Sequence, residues 1–174
     1  MPLRGVYFMP GLVYGLIDIL EKQIANIDEL TVLSNEKRDL IIKNDTVGLS
    51  ELTNNENAIV NKIQKLDKAR LSVMKDIANV LGQDPSIITV TVLAEVLKNQ
   101  PEHEQLSSLA VSMQEKLDNL RFINDQNKIL IDSSLEYINF TVNVIRGSLM
   151  PEQAIYDRSG EELGLRQSFF DAKQ

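Results

Sequence analysis

The stretch that decides the fold is residues 102–149, EHEQLSSLAVSMQEKLDNLRFINDQNKILIDSSLEYINFTVNVIRGSL. It has no proline, and its only glycine is Gly147. Residues suited to one buried face recur at intervals of three or four, the period of an amphipathic helix. These positions are Leu106, Leu109, Met113, Leu117, Leu120, Asn124, Asn127, Ile131, Leu135, Ile138, Val142, Ile145 and Leu149. The pattern predicts a helix of roughly 70 Å if it is unbroken, and it leaves open whether the helix bends near residues 124–127.

Two earlier stretches have the same period. Residues 12–43 and 52–82 each carry an apolar stripe at helical spacing, and the second follows the strict three-and-four alternation of a heptad seam. Between them, Asn44, Asp45 and Gly48 predict a turn, with Ser50 as the N-cap of the second helix. Neither of these two helices matches the length of residues 102–149. We therefore expect the last helix to have more apolar stripe than the other two can cover.

The segment between the second and last long helices is rich in β-branched residues. Residues 87–92 read IITVTV, yet no second strand candidate exists with which they could pair. We therefore expect a loop and then a short helix over 90–98, with Thr89 as its N-cap. The fold class is all-α: an elongated antiparallel bundle of three long helices plus a short helix, coiled-coil-like, with a flexible C-terminal tail. The predicted divisions are an extension over 1–11, the bundle over 12–149 and the tail over 150–174.

Composition narrows the function classes. The chain has no cysteine, which excludes disulfides, thiolate metal sites and cysteine nucleophiles. A net charge of −7 with scattered cations argues against nucleic acid and against anionic membrane surfaces. The apolar stretch over residues 6–20 is too short to span a bilayer, and Pro10 interrupts it. No phosphate loop or nucleophile elbow is present.

A few polar residues lie within the predicted stripes. Asn124 and Asn127 occupy successive positions of the last stripe, where buried Asn most often fixes register. Glu56 and Arg70 lie in the second stripe, about 21 Å apart along one helix, so each needs a partner from another helix. The candidate partners are Lys37 or Arg38 for Glu56, and Glu21 or Glu29 for Arg70. We interpret all four as a structural polar layer.

His103 is the chain's single histidine, and it lies at a helix start between two glutamates. Adjacent residues on a helix point about 100° apart, so this triplet cannot chelate a metal. We expect a solvated first-turn side chain. The sequence therefore predicts no catalytic site, no cofactor and no bound metal.

The first helix contains Leu-x-x-Ile-Leu at residues 16–20, the second carries Glu56 and Arg70 in its seam, and the last contains Asn124-Asp-Gln-Asn127-x-x-Leu-Ile. The tail contains Tyr156-Asp-x-x-Gly160. These four features in this order resemble the FlgN family of flagellar type III export chaperones. The resemblance covers about residues 12–160, whereas residues 1–8 match nothing expected of the family and the 87–92 run is unusually β-branched.

The resemblance implies a cytoplasmic chaperone that binds hook–filament junction proteins, prevents their premature assembly and delivers them to the export apparatus. Client binding would then fall to the end of the last helix and the tail: Ile138, Val142, Ile145, Leu149, Ile155, Tyr156, Leu163 and Leu165. Expected partners are the C-terminal helices of junction proteins and components of the export apparatus. The free chain is expected to be a monomer or weak homodimer that neither inserts into membranes nor binds nucleic acid.

Two other hypotheses remain open at this point. The first is a structural coiled-coil protein that self-assembles through the stripe of the last helix. The second is a helical-bundle enzyme or metal protein, for which the sequence offers no positive sign.

Overall fold

The computed structural model describes residues 10–149, with side chains over 11–147. These residues form four α-helices and no β-strand: α1 (Pro10–Lys43), α2 (Thr46–Leu81), α3 (Val90–Val96) and α4 (Glu102–Leu149). The all-α class is confirmed. The chain divides into two compact units, residues 1–136 and 137–174, and α4 is one continuous helix that contains the boundary. The predicted tail over 150–174 lies outside the described residues.

The turn between α1 and α2 is tighter than predicted. Asn44 takes the left-handed conformation, with φ of 53°, and Asp45 caps α2 by accepting a hydrogen bond from the Gly48 N–H at 2.9 Å. The predicted helix start near residue 52 and the predicted cap at Ser50 are therefore wrong, because an earlier side chain already satisfies the first free N–H groups. Gly48 belongs to the helix. A Cβ there would lie 2.7 Å from an Asp45 carboxylate oxygen and 2.9 Å from a methyl carbon of Leu40, so a larger residue would force these two side chains to shift.

The connection from α2 to α4 follows the local sequence signals. Gly82 ends α2 in the left-handed conformation, with φ of 64°, and its N–H donates to the carbonyl groups of the last turn. Thr89 caps α3, and its hydroxyl accepts from the Val92 N–H at 3.2 Å. The β-branched run is thus a loop followed by a short helix, as predicted, although α3 ends at Val96, two residues before the expected end.

Polar contacts give the directions of the long helices. Lys37 of α1 pairs with Glu56 of α2 across the turn, so these two helices are antiparallel. Contacts from α1 to α4 instead advance in the same direction along both helices, so α1 and α4 are parallel. They join Glu21 to Gln105, Asp28 to Lys116 and Ser34 to Asn127. Consecutive long helices therefore alternate in direction, which confirms the antiparallel bundle.

The main hydrophobic core lies where all four helices meet: the start of α1, the end of α2, α3 and the start of α4. Its members are Val13, Leu16, Ile17, Leu20, Met74, Ile77, Ala78, Ile88, Leu93, Ala94, Leu97 and Leu106. Leu16, Met74 and Ala78 lie beside the predicted stripes, and they are buried because α1 and α2 each contact more than one neighbour here. Within residues 10–149, no helix combines the length and the apolar character that crossing a membrane requires.

Candidate partner-binding surface

The second unit begins with a run of exposed apolar side chains on α4. Three of the predicted client-binding residues, Ile138, Val142 and Ile145, are exposed here. Intervals of four and three place them on one line along the helix, which we call the aliphatic line. Leu149 is the last residue of α4, but its side chain is not described. The other predicted residues, Ile155, Tyr156, Leu163 and Leu165, lie outside the described residues.

A second apolar line accompanies the first. Tyr137, Phe140 and Val144, which we call the aromatic line, follow each other at intervals of three and four. Tyr137 is 68% exposed and Phe140 is 66% exposed. The predicted stripe omitted this line because it was traced along a single face. The signal was nonetheless present, since two aromatic residues stand three apart in a chain with only 5% aromatic residues.

The two lines together form a broad apolar face. At 100° per residue they cover roughly 200° of the helix circumference, about twice the stripe by which a helix usually packs on one side. The remaining side carries Asn139, Asn143 and Arg146, and Arg146 is the only charged residue in the run YINFTVNVIRG over residues 137–147. Exposed apolar side chains on this scale usually mark an interaction surface.

The two asparagines of the predicted polar layer differ in burial. Asn127 is buried, and its Nδ2 donates to the Ser34 carbonyl of α1 at 2.6 Å. Asn124 is exposed instead of buried, although its Oδ1 accepts from the Ser34 hydroxyl at 3.1 Å. Both side chains therefore converge on one α1 residue. The layer is narrower than predicted because only Asn127 points into the helix interface.

Glu56 and Arg70 also differ from each other. Glu56 pairs with Lys37, one of its two candidate partners, and both side chains are largely shielded. Arg70 instead pairs with Asp67 on its own helix at 2.6 Å, so the predicted inter-helix partner is wrong. Following the antiparallel register fourteen residues from Glu56 brings Arg70 level with Gln23 of α1, not with an acid. Glu21 contacts Gln105 of α4.

Within residues 11–147, the titratable groups with resolved contacts serve structural roles. The prediction of a solvated His103 is wrong. Its side chain is half-buried, and its Nδ1 lies 2.7 Å from the Ala94 carbonyl oxygen. A hydrogen bond with the Glu102 carboxylate raises the pKa of Tyr14. Hydrogen bonds from the Ser86 N–H and hydroxyl lower the pKa of Asp84. Over residues 10–149, no group of three or more His, Cys, Asp or Glu side chains is placed to hold a metal ion.

The described part of the chain thus defines a class: an all-α bundle with an exposed apolar helix face. A family model described as FlgN protein matches residues 9–164. The chain therefore belongs to the FlgN family, as the sequence motifs indicated. Membership gives it the general role of a flagellar export chaperone, a class not known for enzymatic activity. No curated protein and no solved structure matches the chain.

Proposed function

We propose that this chain is a cytoplasmic export chaperone that binds the C-terminal helices of hook–filament junction proteins. It would prevent their premature assembly and deliver them to the export apparatus. The observation that carries the proposal is the exposed apolar face formed by the aliphatic and aromatic lines, in a segment whose one charged residue, Arg146, lies on the opposite side of the helix. A client helix that lays its own apolar stripe on this face removes both surfaces from water.

The width of the face bears on how a client is held. One client helix covers a stripe of about 100°, which is enough for either line alone, since each spans about 60°, but not for both. We propose that the client helix packs on the aliphatic line, Ile138, Val142 and Ile145, together with Leu149. The aromatic line then remains for a second client segment or for the tail residues Ile155, Tyr156, Leu163 and Leu165.

Binding of a junction-protein C-terminal helix to the full chain tests this proposal. Replacing both Ile138 and Val142 with Asp should weaken binding by at least about 100-fold, because two buried aliphatic contacts of 1.5–3 kcal/mol each are lost. The matched control replaces Asn139 and Asn143 with Asp, which adds the same charge to the polar side of the same helix turns. Equal weakening by both double variants would show that added negative charge, not the apolar face, is responsible.

Removal of residues 150–174 tests the contribution of the tail. We expect weakened or lost client binding with nearly unchanged helical content by circular dichroism. Unchanged affinity would confine the client site to α4.

Self-assembly is the other use to which an exposed apolar face is suited. Sedimentation velocity over a range of concentrations distinguishes the two. Formation of extended oligomers by a protein that ignores the client helix would overturn the chaperone proposal. Monomers or weak dimers that bind the client would support it.

A further inference from the structure

A groove opens between α3 and α4 in the first unit, separate from the residues proposed to bind clients. Its volume is about 390 Å³, and its lining includes Ala94 and Glu95 of α3 with Ala110, Val111 and Glu115 of α4. Ala94 is buried and Ala110 is half-buried, and both are small, so neither side chain fills the groove. A volume of this size falls within the range of ordinary binding sites, roughly 300–1,000 Å³.

The groove continues into an exposed apolar line on the back of α4. Val111, Phe122 and Ile129 are 60%, 62% and 58% exposed. They are separated by eleven and seven residues, close to three and two full helical turns, so they lie on one face. Each follows a bundle-facing position of the stripe by two residues, which places it about 200° around the helix. We call the groove with this line the back face.

Charge decides which partner fits the back face. Glu95 and Glu115 line the groove, and among the described residues of that lining none is Lys, Arg or His. Along the same side, Asp118 and Asp125 are exposed, and the nearby Arg121 lies 3.8 Å from the Asp118 carboxylate. A second copy docked through this face would oppose carboxylates to carboxylates, and an anionic lipid surface would be repelled. Apolar anchors flanked by carboxylates are complementary to a basic amphipathic helix.

We propose that the back face binds a basic amphipathic helix of a second partner. An apolar side chain of that helix enters the groove beside Ala110 and Val111, and another packs on Phe122. Its Lys and Arg residues pair with Glu95 and Glu115. This inference does not depend on the proposed client site, and it lets one chain hold two different helical partners on different parts of its surface.

The test uses a fluorescent synthetic helix whose Leu residues repeat at seven- and eleven-residue intervals and are flanked by Lys and Arg. Fluorescence anisotropy with the full chain should show saturable binding that weakens as salt rises. Replacing both Glu95 and Glu115 with Lys should weaken binding by about tenfold or more at low salt, where exposed charges are least screened. The matched control replaces the exposed Asp39 and Glu51 with Lys, which changes the net charge equally.

Two outcomes would overturn the proposal. Equal weakening by the control variant would show general attraction to an acidic protein. Equal binding of a peptide with the same Leu residues but Glu in place of Lys and Arg would show that charge does not select the partner.

Hydrogen exchange locates the contact independently of these variants. Protection on peptide binding is expected over residues 91–95 and 107–115. Protection confined to residues 137–147 would place the peptide on the proposed client surface and contradict the proposal. Client binding should be unchanged in the Glu95→Lys, Glu115→Lys double variant, so failure of one proposal is distinguishable from failure of the other.

Discussion

Two regions of this protein use the same helical pattern with opposite results. In the four-helix core, residues such as Leu16, Ile77 and Leu106 are fully buried. In residues 137–147 of α4, Ile138 and Val142 continue the same three-and-four spacing, yet both are exposed. The difference teaches that periodicity identifies an apolar face and leaves open what covers it. In the core the face stabilises the fold, whereas on the second unit it is exposed, as the proposed client binding requires.

The largest effect that separates the two regions should come from truncating one side chain in each. Leu16→Ala should lower the free energy of unfolding by about 3 kcal/mol, because a fully buried Leu leaves a cavity. The matched Ile138→Ala change, at an exposed position, should fall within about 0.5 kcal/mol of wild type. Urea unfolding followed by circular dichroism measures both. Similar losses at both positions would erase the distinction between core and partner surface.

A smaller effect is expected within the polar layer. Asn127→Ala should cost about 1–2 kcal/mol, because it removes the buried hydrogen bond to the Ser34 carbonyl. Asn124→Ala at the neighbouring exposed position should cost less than about 0.5 kcal/mol. Urea unfolding followed by circular dichroism measures the loss at each position. A larger loss at Asn124 would mean that its bond to the Ser34 hydroxyl, not the buried amide, holds α1 and α4 in register.

Two ion pairs extend the comparison between shielded and exposed contacts. The Lys37–Glu56 side chains are 19% and 14% exposed, and a double-mutant cycle should give a coupling of about 1 kcal/mol. The Lys22–Asp18 pair, with both side chains more than half exposed, should give about 0.3 kcal/mol and lose it in high salt. Equal couplings that are equally sensitive to salt would contradict the inter-helix role of Glu56.

The smallest predicted effect is acid sensitivity at the end of α2. Hydrogen bonds from Ser86 hold the pKa of Asp84 below its ordinary value of 3.8, so its ionised form is favoured by folding. Its contribution is present above the ordinary pKa and is lost as pH falls through the lowered folded value. The Tm difference between wild type and Asp84→Asn should therefore persist near pH 6 and shrink below about pH 3.8. A difference that does not change with pH would rule out this linkage. Residues 137–147 contain no carboxylate and contribute no such dependence.

Local chemistry could be predicted where a single residue decides the structure. Gly82 and Thr89 end and begin helices because a left-handed glycine and a threonine hydroxyl satisfy free backbone groups without help from distant residues. The predicted start of α2 was wrong because Asp45 and Ser50 are both good N-caps, and local preference does not choose between them. In the structure it is the Asp45 side chain that caps the helix, by accepting a hydrogen bond from the Gly48 N–H.

The candidate site was predictable only in part for a related reason. The aliphatic line could be found by extending the stripe, but the aromatic line lies on a part of the helix that a single-face interpretation assigns to solvent. Arg70 shows the same limit. Its position in the stripe called for a partner, but only the inter-helix register reveals that Gln23, not a carboxylate, lies level with it on α1.

The sequence by itself determined that this protein is built from helices, where at least one end of each helix lies, and the motifs that mark the FlgN family. These depend on interactions within a few residues, namely helical periodicity and capping. Only the tertiary structure decided which faces are covered. Burial of Leu16 and Asn127 and exposure of Phe122 and Tyr137 depend on which helices meet and in what register, and that is set by contacts between residues far apart in the chain.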